Sequence, residues 1–137
     1  MATKVFINLP VKDLERSKEF FTKIGFTINP QFSNEKAACV VISEEIYAMI
    51  LTEEFFKTFI PDKQISDASK TTEVLVALSA DSKDAVNELA DKALAAGGKV
   101  ARDPEDHGFM FGRSFEDPDG HIWEVFWMDM SAAPPQP

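Results

Sequence analysis

The chain has 137 residues, a length that favours a single domain able to bury a core without disulfide bonds. Its formal net charge of −9 argues against a nucleic-acid partner, which needs a basic face, and against an anionic membrane surface. Cys39 is the only cysteine and lies in an apolar run, so we expect a buried thiol and no internal disulfide. No apolar run is long enough to span a bilayer, and the expected location is the cytoplasm.

The first half of the chain predicts one strand, one helix and three further strands. Residues 5–11 are rich in branched side chains, which is typical of a strand. Asp13 is suited to cap the helix that follows, and Gly25 is suited to end it. Three more strands are predicted over 26–32, 37–42 and 47–52, followed by a short amphipathic helix or turn over 53–59 and a polar loop over 61–71.

The second half repeats this order. A strand over 73–79 precedes a helix that Asp81 or Ser82 caps and that two glycines, Gly97 and Gly98, end. Short strands are then predicted over 99–102, 109–116 and 122–128. The last two are joined by Asp-Pro-Asp-Gly at 117–120, a strong hairpin signal. The tail over 131–137 is small and Pro-rich, so we expect it to fray.

This degenerate repeat predicts the fold class. One βαβββ unit leaves one face of its sheet bare, whereas two units can curl their sheets toward each other. We therefore predict an α+β fold of two βαβββ modules whose curved mixed sheets surround a shared cavity, with the helices outside. The predicted domain spans 1–130, with module one at about 4–60 and module two at about 72–130.

Two motifs resemble those of a known family. Leu9-x-Val-x-Asp-Leu-x-x-Ser-x-x-Phe-Phe21, with Gly25-Phe26 behind it, resembles the opening of vicinal-oxygen-chelate proteins, the glyoxalase, bleomycin-resistance and extradiol-dioxygenase superfamily. Phe115-x-Asp-Pro-Asp-Gly-His-x-Trp-Glu124 resembles their closing hairpin, and its wording is similar to a subgroup of predicted lactoylglutathione lyases. The resemblance covers about residues 4–128. It implies activities from glyoxalase isomerisation to extradiol cleavage, fosfomycin epoxide opening and metal-free drug binding, often in a homodimer.

The resemblance also implies where a metal would bind. Metal-dependent members hold one divalent ion through about four ligands, and the corresponding positions here are Phe6, Ile50, Leu75 and Glu124. Three of these side chains are hydrocarbon and have no lone pair to donate, whereas a divalent cation needs several N, O or S ligands. We therefore expect no metal cofactor, with Glu124 as the one retained ligand. The alternative is one divalent metal ion.

The period of two along a strand extends this site. It places Asn8 beside Phe6 and Phe126 beside Glu124, on mostly apolar faces. If 118–120 form a three-residue loop, Ser114 lies opposite Glu124, and a one-residue shift would place Arg113 there instead. Glu124 is the candidate catalytic residue, as a base or as the partner of a cationic group. The candidate ligand-binding residues are Phe6, Asn8, Ile50, Leu75, Arg113, Ser114 and Phe126.

Three functions are compatible with this pattern. The first is a metal-independent binding module for a small apolar or cationic molecule. The second is a metal-dependent lyase, isomerase or dioxygenase of the glyoxalase type, and the third is a metal-free enzyme that uses Glu124 as a base. In all three the partner is a small molecule, and a homodimer is expected from the family. The two histidines, His107 and His121, and the acidic pair Glu105 and Asp106 are expected in solvated segments.

Overall fold

A computed structural model describes residues 2–131, and the chain divides into two compact units whose boundary falls between Asp67 and Ala68. Each unit holds one four-stranded mixed sheet in the order strand, helix, then three strands. These observations confirm the predicted α+β class and the repeated βαβββ order. A cavity enclosed by the two sheets stays a prediction. The predicted tail lies outside the described residues from position 132 onward.

The first unit consists of β1 (Val5–Val11), α1 (Leu14–Lys23), β2 (Thr27–Asn29), β3 (Ala37–Val41), β4 (Ile46–Thr52) and α2 (Glu53–Lys57). Its sheet has the order β1-β4-β3-β2. The outer strand β1 runs parallel to β4, and the other neighbours are antiparallel. Helix α1 packs against β2, β3 and β4, and Cys39 is fully buried within β3, as predicted. Burial also raises the pKa of the Cys39 thiol, so it behaves as a small apolar side chain.

Local chemistry explains the ends of these elements. Asp13 caps α1, accepting a hydrogen bond from the backbone N–H of Arg16 at 3.0 Å. The predicted strand over 26–32 is wrong beyond Asn29, because a 3-10 turn replaces it over Pro30–Phe32. Pro30 has no N–H to donate to a ladder, and the Asn29 side chain accepts from the N–H of Gln31 instead.

The second unit consists of β5 (Leu75–Ser79), α3 (Lys83–Ala95), β6 (Glu105–Asp106), β7 (Met110–Glu116) and β8 (Ile122–Met128). Its sheet has the order β5-β8-β7-β6, in which β5 runs parallel to β8. Ser82 rather than Asp81 caps α3, since its hydroxyl accepts from the N–H of Ala85 at 3.0 Å. Helix α3 covers one face of this sheet by packing on β7 and β8.

The predicted strand over 99–102 is the main error in this unit. Lys99 forms only an isolated bridge with Glu116, and the strand that pairs with β7 is the two-residue β6. Beyond Lys99, the backbone N–H of Arg102 donates to the Ser114 hydroxyl at 3.0 Å instead of to a ladder carbonyl. The segment therefore leaves the sheet and returns to it three residues later.

Strand β8 alternates between a helix-covered face and the opposite face. Val125 is buried with Val86 and Ala90 of α3, and Trp123 is fully buried, so both tryptophans and Val125 belong to one side of the strand. Glu124 and Phe126 point to the other side, which we call the Glu124 face. Within residues 2–131, no helix is both long and apolar enough to cross a membrane.

Candidate functional site

The hairpin of β7 and β8 has the register in which Ser114 lies opposite Glu124. This confirms the favoured of the two predicted registers. Arg113 pairs with Val125, so its side chain points to the α3 side of the sheet. Ser114 and Arg113, the two alternatives that the sequence left open, are adjacent in β7 and therefore point to opposite faces of the sheet.

A buried carboxylate in the turn holds this register. Asp117 is 5% exposed, and its Oδ1 accepts from the backbone N–H groups of Asp119 and His121 at 3.0 and 3.1 Å. Its Oδ2 accepts from Nε1 of Trp123 at 3.1 Å. Burial raises the pKa of Asp117, while nearby His121 and the N–H donors act in the opposite direction. Gly120 takes a φ of 93°, the positive value that this turn requires.

Glu124 is paired, although Arg113 does not lie opposite it in this register. The Arg102 guanidinium donates from Nη2 to Oε1 of Glu124 at 2.9 Å and from Nε to Oε2 at 3.4 Å. The two contacts make a bidentate arginine–carboxylate pair, in which the Nη2 contact is the shorter. The hydrogen bond and the negative charge of Glu124 raise the pKa of Arg102.

Ser114 forms hydrogen bonds with the backbone of Arg102. The Ser114 side chain is buried, accepts from the Arg102 N–H at 3.0 Å and donates to the Arg102 carbonyl at 3.3 Å. Ser114 was predicted as a ligand contact, but its hydroxyl has both of these backbone partners. Its position supports the Arg102 side chain.

The cluster continues into β6. Arg102 also forms an ion pair with Glu105 through Nη1, and the other Glu105 oxygen lies 3.1 Å from Nε2 of His107. The segment is largely solvated, as expected, and within it Glu105 and His107 also belong to a network. Lys83 of α3 lies 3.8 Å from Asp106, at its edge. We call the connected side chains the Arg102 cluster: Arg102, Glu105, His107, Ser114 and Glu124.

Arg113 does not belong to this cluster. Its Nη1 donates to Oδ1 of Asn87 at 2.9 Å and to Oδ1 of Asp91 at 2.8 Å, both on α3. The guanidinium ties the helix to β7. The prediction that Arg113 contacts a ligand beside Glu124 is therefore corrected: it faces the opposite side of the sheet.

The candidates of the first unit divide between two faces. Phe6 pairs with Tyr47 and stacks on its ring at 4.7 Å, and Asn8 lies two residues along the same face. Ile50 pairs with Leu9 and is fully buried, whereas Phe6 is 48% exposed. Because paired side chains point the same way, Ile50 lies on the opposite face from Phe6 and Asn8. The prediction that these three share a face is wrong.

Leu75 and Phe126 lie as predicted relative to Glu124. Leu75 pairs with Ile122, Ala77 pairs with Glu124, and Ser79 pairs with Phe126. The period of two therefore puts Leu75, Glu124 and Phe126 on one face of the second sheet. Leu75 is 55% exposed, so the Glu124 face combines open apolar surface with one ion pair.

A model of the Glyoxalase/Bleomycin resistance protein/Dioxygenase superfamily matches residues 5–125, nearly the whole chain. The chain belongs to this superfamily. Among curated proteins, no sequence matches the chain. The finer subgroup of predicted lactoylglutathione lyases stays a prediction.

Solved structures share the fold over almost their full lengths. Hypothetical protein SA1046 from S. aureus is 26% identical, with a TM-score of 0.76 over 93% of this chain and 94% of that one. A glyoxalase/bleomycin resistance protein/dioxygenase family enzyme from Burkholderia phytofirmans PsJN is 16% identical, with a TM-score of 0.78 over 93% and 99%. The fosfomycin resistance protein FosX from Mesorhizobium loti is 15% identical, with a TM-score of 0.68 over 96% of both chains.

The side chains of this glyoxalase-superfamily member do not fit a divalent metal. Phe6 and Leu75 have no donor atoms, Ile50 lies on the opposite face of its sheet from Phe6, and both oxygens of Glu124 accept from Arg102. The described residues also contain no group of three or more His, Cys, Asp or Glu that could hold an ion. A guanidinium in contact with the one retained carboxylate adds a positive charge that repels a second cation.

Arg102 is the residue that sequence reasoning missed. The 22 positions between Arg102 and Glu124 follow no strand or helix period, so no spacing rule connects them. One signal was available: the chain has only three arginines, and Arg16 is assigned to the first helix. A half-buried glutamate favours a cationic partner, and among the arginines this leaves Arg102 and Arg113 as candidates.

Proposed function

We propose that this glyoxalase-superfamily protein binds a small apolar or cationic molecule without a metal ion. One observation carries the proposal: the position that retains a metal-ligand side chain, Glu124, is occupied by the Arg102 guanidinium. The other three positions implied by the resemblance, Phe6, Ile50 and Leu75, are hydrocarbon and cannot ligate a cation, and Ile50 also lies on the opposite face of its sheet from Phe6. A homodimer and a cytoplasmic location are part of the proposal on the basis of the family resemblance.

An apolar ligand has the better support of the two classes. The Glu124 face presents Leu75, Ile122 and Phe126, side chains that contribute area without a polar requirement. A cationic ligand would have to compete with Arg102 for Glu124, since a bound guanidinium already neutralises that carboxylate. The negative charge of the whole chain still attracts cations at long range.

The same contact argues against Glu124 as a general base. A base must reach the proton that it abstracts, and both Glu124 oxygens are engaged by Arg102. Proton abstraction would require Arg102 to swing away first, and it would then leave a partly buried carboxylate without a cation. The structure favours binding over this third function.

Metal content tests the metal-independent part of the proposal. The protein is purified from medium rich in nickel, zinc, iron and manganese, and bound metal is counted per chain by mass spectrometry. We expect well below one ion per chain. Stoichiometric metal that survives dialysis would overturn the proposal and restore the metal-dependent reading.

A thermal-shift screen tests binding. The protein is screened against cationic and aromatic small molecules, with Glu124→Gln and with Glu88→Gln, an exposed glutamate of α3, as a matched control. We expect hits whose shift is reduced in Glu124→Gln and unchanged in Glu88→Gln. Hits that are equal in all three proteins would remove the Glu124 face from the proposal.

A further inference from the structure

We propose that Arg102 is the group that contacts the ligand, holding Glu124 where relatives hold a metal and offering its remaining N–H donors to an uncharged oxygen acceptor. The inference rests on the proposed function and deepens it by naming a ligand class. That class is an apolar molecule that carries a carbonyl or a comparable neutral acceptor.

The donor count of the guanidinium supports this role. An arginine side chain has five N–H groups in one plane. Two have hydrogen-bond acceptors here, Nε–H and one Nη2–H on Glu124, and Nη1 forms an ion pair with Glu105. Within residues 2–131, this leaves one N–H on each Nη atom for another acceptor. The Arg102 side chain is 48% exposed, so these donors are accessible to a small molecule.

The guanidinium is also held in position before any ligand arrives. Three strands position the Arg102 guanidinium. Ser114 of β7 accepts a hydrogen bond from the Arg102 backbone, and Glu124 of β8 and Glu105 of β6 form ion pairs with the guanidinium. Fixing a donor in advance reduces the entropy that binding must otherwise overcome.

The local charge selects an uncharged ligand group. Glu105 and Glu124 carry two negative charges against the single positive charge of Arg102, so these three side chains together have an excess negative charge. A carboxylate or phosphonate would meet this excess negative charge, whereas a carbonyl oxygen accepts from the same donors without it. The apolar part of the ligand would lie on the side chains that share the face, Leu75 and Phe126.

Nitrogen-15 NMR of the arginine side chains tests the inference directly. The chain has three arginines, and the Nε–Hε signal of Arg102 is assigned by its loss in Arg102→Ala. The probes are benzamide, benzamidinium and benzoate, which share one shape and differ in charge. We expect benzamide to shift the Arg102 signal at millimolar concentration, benzoate to shift it less, and benzamidinium to leave it in place. The Arg113 signal is the internal reference and should not move.

Affinity supplies the second readout. We expect Arg102→Ala to weaken benzamide binding about tenfold, the loss of one hydrogen bond from a charged donor. Arg102→Lys keeps the charge without the planar fork and should recover part of that loss. Arg16→Ala, which removes the same charge from α1 in the other unit, is the matched control and should bind benzamide as the unaltered protein does.

The outcomes separate this inference from the proposed function. Benzamide that binds equally to Arg102→Ala, or that shifts only amides around Phe126, would overturn the role of Arg102 and leave the binding proposal standing. A preference for benzamidinium would overturn the neutral-acceptor class. If none of the three probes moves the Arg102 signal, the inference fails, while metal content and the thermal-shift screen still decide the proposed function.

Discussion

Two carboxylates of one hairpin, only seven residues apart, are stabilised in different ways. Asp117 is almost fully buried, and its three donors in the turn are uncharged N–H groups. Glu124 is only partly buried and is paired with a guanidinium. Hydrogen bonds in a fixed turn specify geometry, whereas an exposed ion pair can be exchanged for a ligand. At the residue scale, Asp117 is therefore structural, whereas Glu124 belongs to an ion pair that solvent reaches.

Asp117→Asn tests the structural role and its dependence on pH. The amide nitrogen of asparagine cannot accept from Nε1 of Trp123, so we expect a loss of about 2 kcal/mol in the free energy of unfolding. Burial raises the folded-state pKa of Asp117, so the folded state binds its proton more tightly than the unfolded state. The contribution of Asp117 to stability is then present at low pH and is lost as pH rises through the raised pKa.

Urea unfolding at several pH values between 3.5 and 7 measures how the contribution of Asp117 to stability depends on pH. Steps of ~0.5 pH units resolve one titration. The stability difference between the unaltered protein and Asp117→Asn should narrow as pH rises. A difference that widens with pH would show that the N–H donors outweigh burial and that the pKa is lowered.

Gly120→Ala tests the turn backbone. Gly120 has a positive φ, and an added Cβ would lie 2.8 Å from the carbonyl oxygen of Ala68. Gly108 also has a positive φ, but an added Cβ there has no atom within 4 Å. We expect Gly108→Ala to cost about 1 kcal/mol of conformational energy and Gly120→Ala roughly 3 kcal/mol, because a backbone atom must also move. Equal losses in thermal unfolding would contradict the close approach.

At the scale of elements, α3 is attached to its sheet in two ways. Val86 and Ala90 pack on Val125, while Asn87 and Asp91 accept from Arg113 of β7. The apolar contacts supply most of the free energy, and the arginine fixes where along the strand the helix lies. The helix-covered face of the sheet is therefore held by both kinds of contact.

The N-terminus of α3 offers a matched pair of substitutions. Ser82 is the cap, so Ser82→Ala should lower the free energy of unfolding by about 1 kcal/mol. Asp81, the neighbouring candidate, should cost less than about 0.5 kcal/mol when changed to alanine. Chemical denaturation of both variants measures the two values. A larger loss in Asp81→Ala would assign the cap to the wrong residue.

Hydrophobic period and turn chemistry predicted most elements, because both are local. Strand β1 follows from branched residues, and the Asp-Pro-Asp-Gly turn predicts the β7–β8 hairpin, although it left two registers open. The failures concern partners that are distant in sequence. Ile50 was assigned to the wrong face because its side depends on the β1–β4 register, which no local pattern encodes. The Arg102–Glu124 pair was missed for the same reason, since a side-chain contact between a loop and a strand has no period.

For the molecule as a whole, the two units close their sheets in the same manner. Val5 pairs with Ile46 in the first, and Leu75 pairs with Ile122 in the second, both in parallel. The antiparallel pair β7–β8 needs only a short turn between its strands. Loop closure costs more entropy for distant partners, so the parallel pairings should form after the hairpins.

Pulse-labelled hydrogen exchange during refolding checks this order. Amides of β7 and β8 that face each other, such as those around Arg113 and Val125, should gain protection before amides of β5. The β3–β4 pair should likewise precede β1. Simultaneous protection of β5 and β8 would contradict a hairpin-first order.

The parallel pairs β1–β4 and β5–β8 also determine when each sheet can be completed during translation. In each sheet the strand made last, β4 or β8, lies between the first strand and the rest, so it joins parts that cannot pair without it. During translation β5 must wait unpaired, with Leu75 and Val76 exposed, until the segment beginning at Ile122 has emerged. Chaperones would meet an unpaired apolar strand throughout that interval. A polypeptide that stops before Ile122 lacks β8, the strand between β5 and β7. Because β5 and β7 are joined only through β8, such a chain cannot form the second sheet as a unit.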